Sequence, residues 1–310
     1  MPEADSYGVA EALRIADQLG VDVSVAAARA DGSGAVLAHA EDRLWPGASL
    51  FKVLAAAALL REAPELLEVS VRVEPAEHVP GGSGLSLLSG PVTLTWRDLL
   101  VLMLSGSDNT AAGVILGRVG PAALSAAARE AGMTATRIAP TARTVQDAVQ
   151  ARHGRVTPAH DRDRPLLEHA AHDSVMGSLT TAADQIALLG TPWHGTLLSP
   201  AHRDLVLGAM SRQVLQYRIS AAFGHPGVQV AGKTGTWGPF RHESALVIHH
   251  GETPIAVSIL TESLELARLL PAVDDGIGDM AAALVGDLRS RRSAAPGHGA
   301  ILPDTAHPGG

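Results

Sequence analysis

The strand signals of this chain fall at its two ends and leave the middle to helices, a separation that admits few folds. Residues 21–28 and 36–39 read as strands joined by the turn Asp31-Gly32-Ser33-Gly34, and 228–230, 245–249 and 255–260 read as three more. Between them, residues 48–63 are rich in Ala and Leu without a breaker and read as a buried helix. Another helix is expected from Thr95, whose Asp98 three residues on resembles a capping box, through Leu104. Residues 109–118 and 121–131, and a segment opening at Thr181 with Asp184, read as helices as well. An amphipathic helix is expected before residue 20, with Val9, Leu13 and Ala16 on one face, and a last helix from about Gly278 to Leu288. The economical architecture is α/β of the α+β kind: one sheet made from both chain ends, flanked by helices, with a helical lobe inserted between its halves. Clefts between such lobes are common places for sites.

This organisation implies one domain over residues 1–290, with a sheet lobe at about 1–60 and 215–290 and a helical lobe at about 61–214. The tail, 291–310, is rich in Pro, Gly and His and is expected to be disordered. Residues 140–178 show no clear period and hold five Arg and four His, which reads as a long excursion.

Composition removes several kinds of chemistry. The net charge is −8 and only 18% of residues are charged, so a nucleic-acid partner is not indicated. Cysteine is absent, which excludes disulfides, thiol catalysis and Cys-type zinc sites. The first twenty residues lack the basic segment and apolar core of a secretion signal. No run reaches the roughly 18 apolar residues of a membrane span. The expectation is a cytoplasmic protein with no membrane association, unless a leader has been removed. His153, His160, His169 and His172 cluster in the long excursion, with Asp173 nearby. Such histidines are more often solvated than metal-bound, and neither metal nor cofactor is expected.

One bias points to the chemistry that remains. Of 24 basic residues only Lys52 and Lys233 are lysine, and Asn109 is the only asparagine. All three fall within short motifs. Ser49-Leu50-Phe51-Lys52 opens the buried helix, where a spacing of three puts both side chains on one face. A serine hydroxyl needs a base to become a nucleophile. Lysine can be that base once burial lowers its pKa, whereas arginine cannot. Ser107-Asp108-Asn109 lies between two helices, and Lys233-Thr234-Gly235 ends a strand, where it can offer a cation and a hydroxyl to a substrate carboxylate. The N–H groups of Thr236 and Ser49 can form an oxyanion hole. The Gly-x-Ser-x-Gly elbow of Ser-His-Asp hydrolases is missing.

Ser-x-x-Lys, Ser-Asp-Asn and Lys-Thr-Gly in this order resemble the signature of class A β-lactamases and penicillin-binding proteins. The flanking text is similar too: Asp108 to Ala112, Gly132 to Arg137, and Thr180-Thr181 ahead of a helix. The resemblance spans about residues 8 to 290 and implies the β-lactamase/DD-peptidase-like fold with an antiparallel sheet. It also implies Ser49 as nucleophile, Lys52 as its base and Ser107 as proton relay to the leaving group. Asn109 would orient the cleft, while Lys233 and Thr234, with Gly235 and Thr236 beside them, would bind substrate. His242-Glu243 stands where relatives often have Asn-Glu or Asn-Asp.

The chain departs from that family at the glutamate that activates the deacylating water, within Arg-x-Glu-Pro-x-Leu-Asn. One register places Arg164 there, and the other places Ala142. Glu168 is the only Glu between Glu130 and Glu243 and is the candidate replacement base. The implied function is a serine acyl hydrolase or acyltransferase acting on a small-molecule amide, ester or β-lactam carbonyl, with a place in specialised metabolism. A true β-lactamase and a catalytically silent binding protein of the same fold are the alternatives.

Overall fold

A computed structural model describes residues 6–79, 83–138, 178–194, 197–265 and 269–291. Its centre is a five-stranded antiparallel sheet built from both ends of the chain. The strands are β1 (Val21–Arg29), β2 (Leu37–His39), β7 (Val228–Trp237), β8 (Phe240–His249) and β9 (Ile255–Ser263), in the spatial order β2-β1-β9-β8-β7. β1 and β9 pair over their whole length, Val21 opposite Ser263 through Arg29 opposite Ile255, which joins the start of the chain to its end. β7 and β8 pair from Val228–His249 to Trp237–Phe240, so the Lys-Thr-Gly motif lies inside an edge strand. The two strands run well past the apolar cores that mark them in sequence.

Alternation along the strands loads both faces of the sheet. On one face Val23, Val25, Ala245, Val247, Val257 and Ile259 meet α1 (Tyr7–Leu19) and α8 (Pro271–Ser290). In α1, Ser6 accepts from the Val9 N–H as N-cap; Val9, Ala12 and Ala16 are buried and Leu13 packs beside them, partly buried, so the expected face is the one that meets the sheet. On the other face Ala231, Leu246, Ile248 and Ala256 meet a helical core. It contains α2 (Phe51–Glu62), α3 (Trp96–Ser105), α4 (Asn109–Glu130), α5 (Ala182–His194) and α6 (Pro200–Ser211); the short α7 (Ile219–Ala222) packs on the first face. Ten of the twelve residues of α2 pack into the helical core or lie buried on it, which explains its uninterrupted Ala/Leu run.

Thr95 caps α3 by accepting from the Asp98 N–H, as its spacing predicts. α4 breaks at Gly120 (φ 75°, ψ 167°) ahead of Pro121, so it comprises the two helical segments read from sequence. By length and composition α4 is apolar enough to cross a membrane, contrary to the expectation that no run qualifies. Its Ile115, Leu116, Leu124 and Ala127 are core residues here. Two small ladders went unread in the sequence: β3 (Trp45–Pro46) with β6 (Leu179–Thr180), and β4 (Ser70–Val73) with β5 (Val92–Thr95). The first of them sets the entry to the site.

Candidate active site

Ser49 is half-buried in a single 3₁₀ turn, Ala48–Leu50, that leads into α2. Ala48 adopts φ 44°, a left-handed conformation unfavourable to a residue with a Cβ, so the surroundings must impose it. Three contacts do so. The Gly47 N–H donates to Ser178 O at 2.7 Å, and the Leu50 N–H donates to Gly47 O at 3.0 Å. His242 Nε2 lies 2.9 Å from Pro46 O, while its Nδ1 accepts from the Thr261 N–H at 3.1 Å. That pair of partners demands the neutral Nε2–H tautomer, and burial holds the ring pKa down at about 3. β7 crosses directly over this turn: a Cβ on Gly235 would lie 3.1 Å from Gly47 O and 3.3 Å from Ala48 Cβ. Both contacts are tighter than a Cβ ordinarily makes, so the glycine eases the close approach of the strand to the serine turn.

Lys52 follows one turn later and is fully buried. Its Nζ donates to Ser107 O at 2.5 Å and Asn109 Oδ1 at 2.8 Å, and lies 3.2 Å from Ser107 Oγ. These bonds run to the Ser107 turn rather than to Ser49. Burial, then the charge of Lys233, pushes the Lys52 pKa well below that of an ordinary lysine, with Asp108 pulling the other way. Ser107 also has a left-handed backbone, φ 56°. The neighbouring Asp108 holds that turn, since its buried carboxylate accepts from the Ala111 N–H at 2.9 Å and the Leu85 N–H at 2.6 Å. Ser107 Oγ is therefore shared between both lysines, because Lys233 Nζ donates to it at 3.1 Å.

Lys233 is as buried as Lys52 and donates also to Thr234 O at 3.0 Å. Burial lowers its pKa to about 7, opposed by Glu243 and reinforced by Arg218. Glu243, opposite Thr234 on β8, is raised to about 7 by burial. It accepts from the Ile219 N–H at 2.7 Å and from Gln213 Nε2 at 3.2 Å. Gln213 Oε1 in turn accepts from the Thr234 N–H at 2.7 Å and its hydroxyl at 3.1 Å. Arg218 pairs with Asp274 at 2.6 Å and donates to Gly235 O, His242 O and Thr236 Oγ1, which braces the end of β7. Thr236 is exposed at that end.

The fold thus gathers Ser107, Asn109, Lys52 and Lys233 into one hydrogen-bonded group and sets the Ser49 turn against Gly235. Gln213 and Arg218 escaped motif reasoning because both lie in a loop without periodicity. Glu168, with His153, His160, His169 and His172, lies outside the described residues. Among the described residues no group of three or more His, Asp or Glu is placed to hold a metal ion.

A helix-borne Ser-x-x-Lys beside a buried Ser-Asp-Asn turn and a Lys-Thr-Gly edge strand defines a serine hydrolase of the β-lactamase and penicillin-binding superfamily. Residues 9–288 match the sequence model of the beta-lactamase enzyme family, and the chain belongs to that family. It is similar to the beta-lactamase regulatory protein BlaB of Streptomyces cacaoi, 27% identical over 282 residues, covering 80% of this chain and 87% of that one. A beta-lactamase of Streptomyces albus G is 32% identical over 116 residues, 34% of this chain and 37% of that one. Among solved structures, a beta-lactamase of Sphaerobacter thermophilus superposes with a TM-score of 0.74 at 22% identity, covering 91% of this chain and 97% of that one. PBP-A superposes at 0.72 with 19% identity, covering 94% and 99%.

Proposed function

We propose that the protein is a serine acyl hydrolase or acyltransferase working through an acyl-Ser49 intermediate, with a role in specialised metabolism. The observation that carries this is the pair of buried lysines sharing Ser107 Oγ, one of them a single helical turn from Ser49. A neutral Lys52 has two hydrogens and one lone pair. Ser107 O and Asn109 Oδ1 take the hydrogens, which leaves the lone pair for a hydroxyl proton. Ser49 Oγ attacks the acyl carbon as its proton passes to Lys52. Lys52 then passes that proton to Ser107 Oγ as the Ser107 hydroxyl hydrogen moves to the leaving group and the carbon–leaving-group bond breaks. The N–H groups of Ser49 and Thr236 are the oxyanion donors in this reading. Water or another acceptor releases the acyl group. With Arg164 or Ala142 where β-lactamases carry the deacylating glutamate, this second half is expected to be slow.

The resemblance to the Streptomyces albus G beta-lactamase favours β-lactam hydrolysis as the second reading. The Streptomyces cacaoi relative is named a regulatory protein, which favours a silent binding role as the third. Hydrolysis of p-nitrophenyl acetate separates the enzymatic readings from the silent one, and rapid turnover of a chromogenic cephalosporin separates the second reading from the first. Turnover above background that disappears in Ser49→Ala supports the enzyme, and turnover that persists in Ser49→Ala removes Ser49 from the mechanism.

A further inference from the structure

The substrate-binding end of the site is closed in a way that bears on substrate class. The family resemblance assigns a substrate carboxylate to the Lys233 ammonium and the Thr234 hydroxyl. Both residues are buried, at 0% and 2% exposure. Lys233 aims two of its donors at Ser107 Oγ and Thr234 O. The single hydroxyl hydrogen of Thr234 is directed at Gln213 Oε1. Two backbone groups fix the orientation of that amide. The Thr234 N–H can only donate and so requires the amide oxygen, while Leu215 O can only accept and takes Nε2 at 3.1 Å. Glu243 secures the same Nε2 from the far side. A flipped Gln213 would set donor against donor at Thr234 and acceptor against acceptor at Leu215. With its hydrogen committed, the Thr234 oxygen offers lone pairs, which repel a carboxylate and accept from a neutral donor.

We propose that Gln213 is a specificity-determining residue that turns the Lys233–Thr234 end of the site away from carboxylate-bearing substrates and toward neutral acyl donors. The inference rests on the serine acyl-enzyme reading above. Gln213 acts through Thr234 and is a positioning residue. Freeing the Thr234 hydroxyl to donate to an anion adds one charge-assisted hydrogen bond, enough to favour the anion by about tenfold.

The test uses phenyl phenylacetate and its 3-carboxyphenyl counterpart, which differ by one carboxylate on the leaving group. Relative kcat/KM is measured for the wild type, Gln213→Met, which lacks the acceptor, and Gln213→Asn, which is too short to reach Thr234 but keeps a polar amide. The wild type is expected to prefer the neutral ester. Either variant should raise the carboxylate-to-neutral ratio about tenfold, where a merely structural loss would lower both substrates together. An unchanged ratio in a variant that still turns over the neutral ester overturns the role of Gln213 and leaves the acyl-enzyme reading intact. Failure of the wild type to release phenol from either ester, with no acyl mass added at Ser49, overturns both.

Discussion

Asp108 is the side chain on which the geometry of Ser107 most depends, and its replacement by Asn separates two of its effects. The carboxylate is fully buried and accepts two backbone N–H groups, Ala111 at the start of α4 and Leu85 from the neighbouring turn. Asn retains one acceptor oxygen and sets an NH2 against the other N–H. An unsatisfied buried donor costs about 1–3 kcal/mol, so a loss of about 2 kcal/mol is expected. At about 2.1 cal/mol/K per residue, a chain of this length has an unfolding entropy of roughly 0.6 kcal/mol/K, and Tm should fall by about 3 °C. The second effect is electrostatic. The Asp108 charge raises the pKa of Lys52, so removing it lowers that pKa further. If Lys52 must be neutral to take the Ser49 proton, the acid limb of the acylation rate, read as p-nitrophenol burst rate against pH, moves to lower pH. A limb that stays in place or moves to higher pH, in a variant with the expected Tm, would refute the assignment of that limb to Lys52.

Lys52→Arg keeps a charge but not a group that can be neutral, and acylation should fall by about 10²–10⁴-fold with the circular dichroism spectrum retained; acylation within tenfold of wild type would contradict a base role. His242 is about 3 in the fold against about 6.5 unfolded, so the folded state binds fewer protons. The stability from its neutral ring is complete above pH 6.5 or so and is lost as pH falls toward 3. Urea midpoints measured across that window should fall less steeply for His242→Gln, and an equal slope would remove His242 as the source. Arg218→Ala leaves the Asp274 carboxylate buried without its ion-pair partner, which should cost about 3–5 kcal/mol by urea denaturation, and a loss below about 1 kcal/mol would contradict the bracing role.

Much of the site was legible because its chemistry needs residue types this chain otherwise avoids. Lys52, Lys233 and Asn109 stand out against an arginine background, and the structure bonds all three through the Ser107 turn. The sheet was legible from the apolar cores of its strands. The extent of β7 was not, because two glycines and a lysine give Gly232-Lys233-Thr234-Gly235 little strand propensity; it is extended because β8 pairs with it. The start of α8 at Pro271 rather than Gly278 was missed for a related reason. Gly278 reads as a helix breaker, yet a Cβ there would lie 2.7 Å from Arg218 O, so the glycine serves close packing of α8 on the Arg218 loop. Gln213 had no local signal at all. Its role comes from one amide placed between a strand edge and a buried carboxylate, a relation between residues 21 and 30 positions apart.

The account stands on Ser49 forming a covalent acyl intermediate, and intact-protein mass spectrometry tests that most directly. After prolonged incubation with benzylpenicillin and, separately, with a p-nitrophenyl ester, the account predicts an added acyl mass that maps to the peptide carrying Ser49 and is absent from Ser49→Ala. A folded protein that gains no acyl mass and shows no Ser49-dependent turnover with either donor would contradict it.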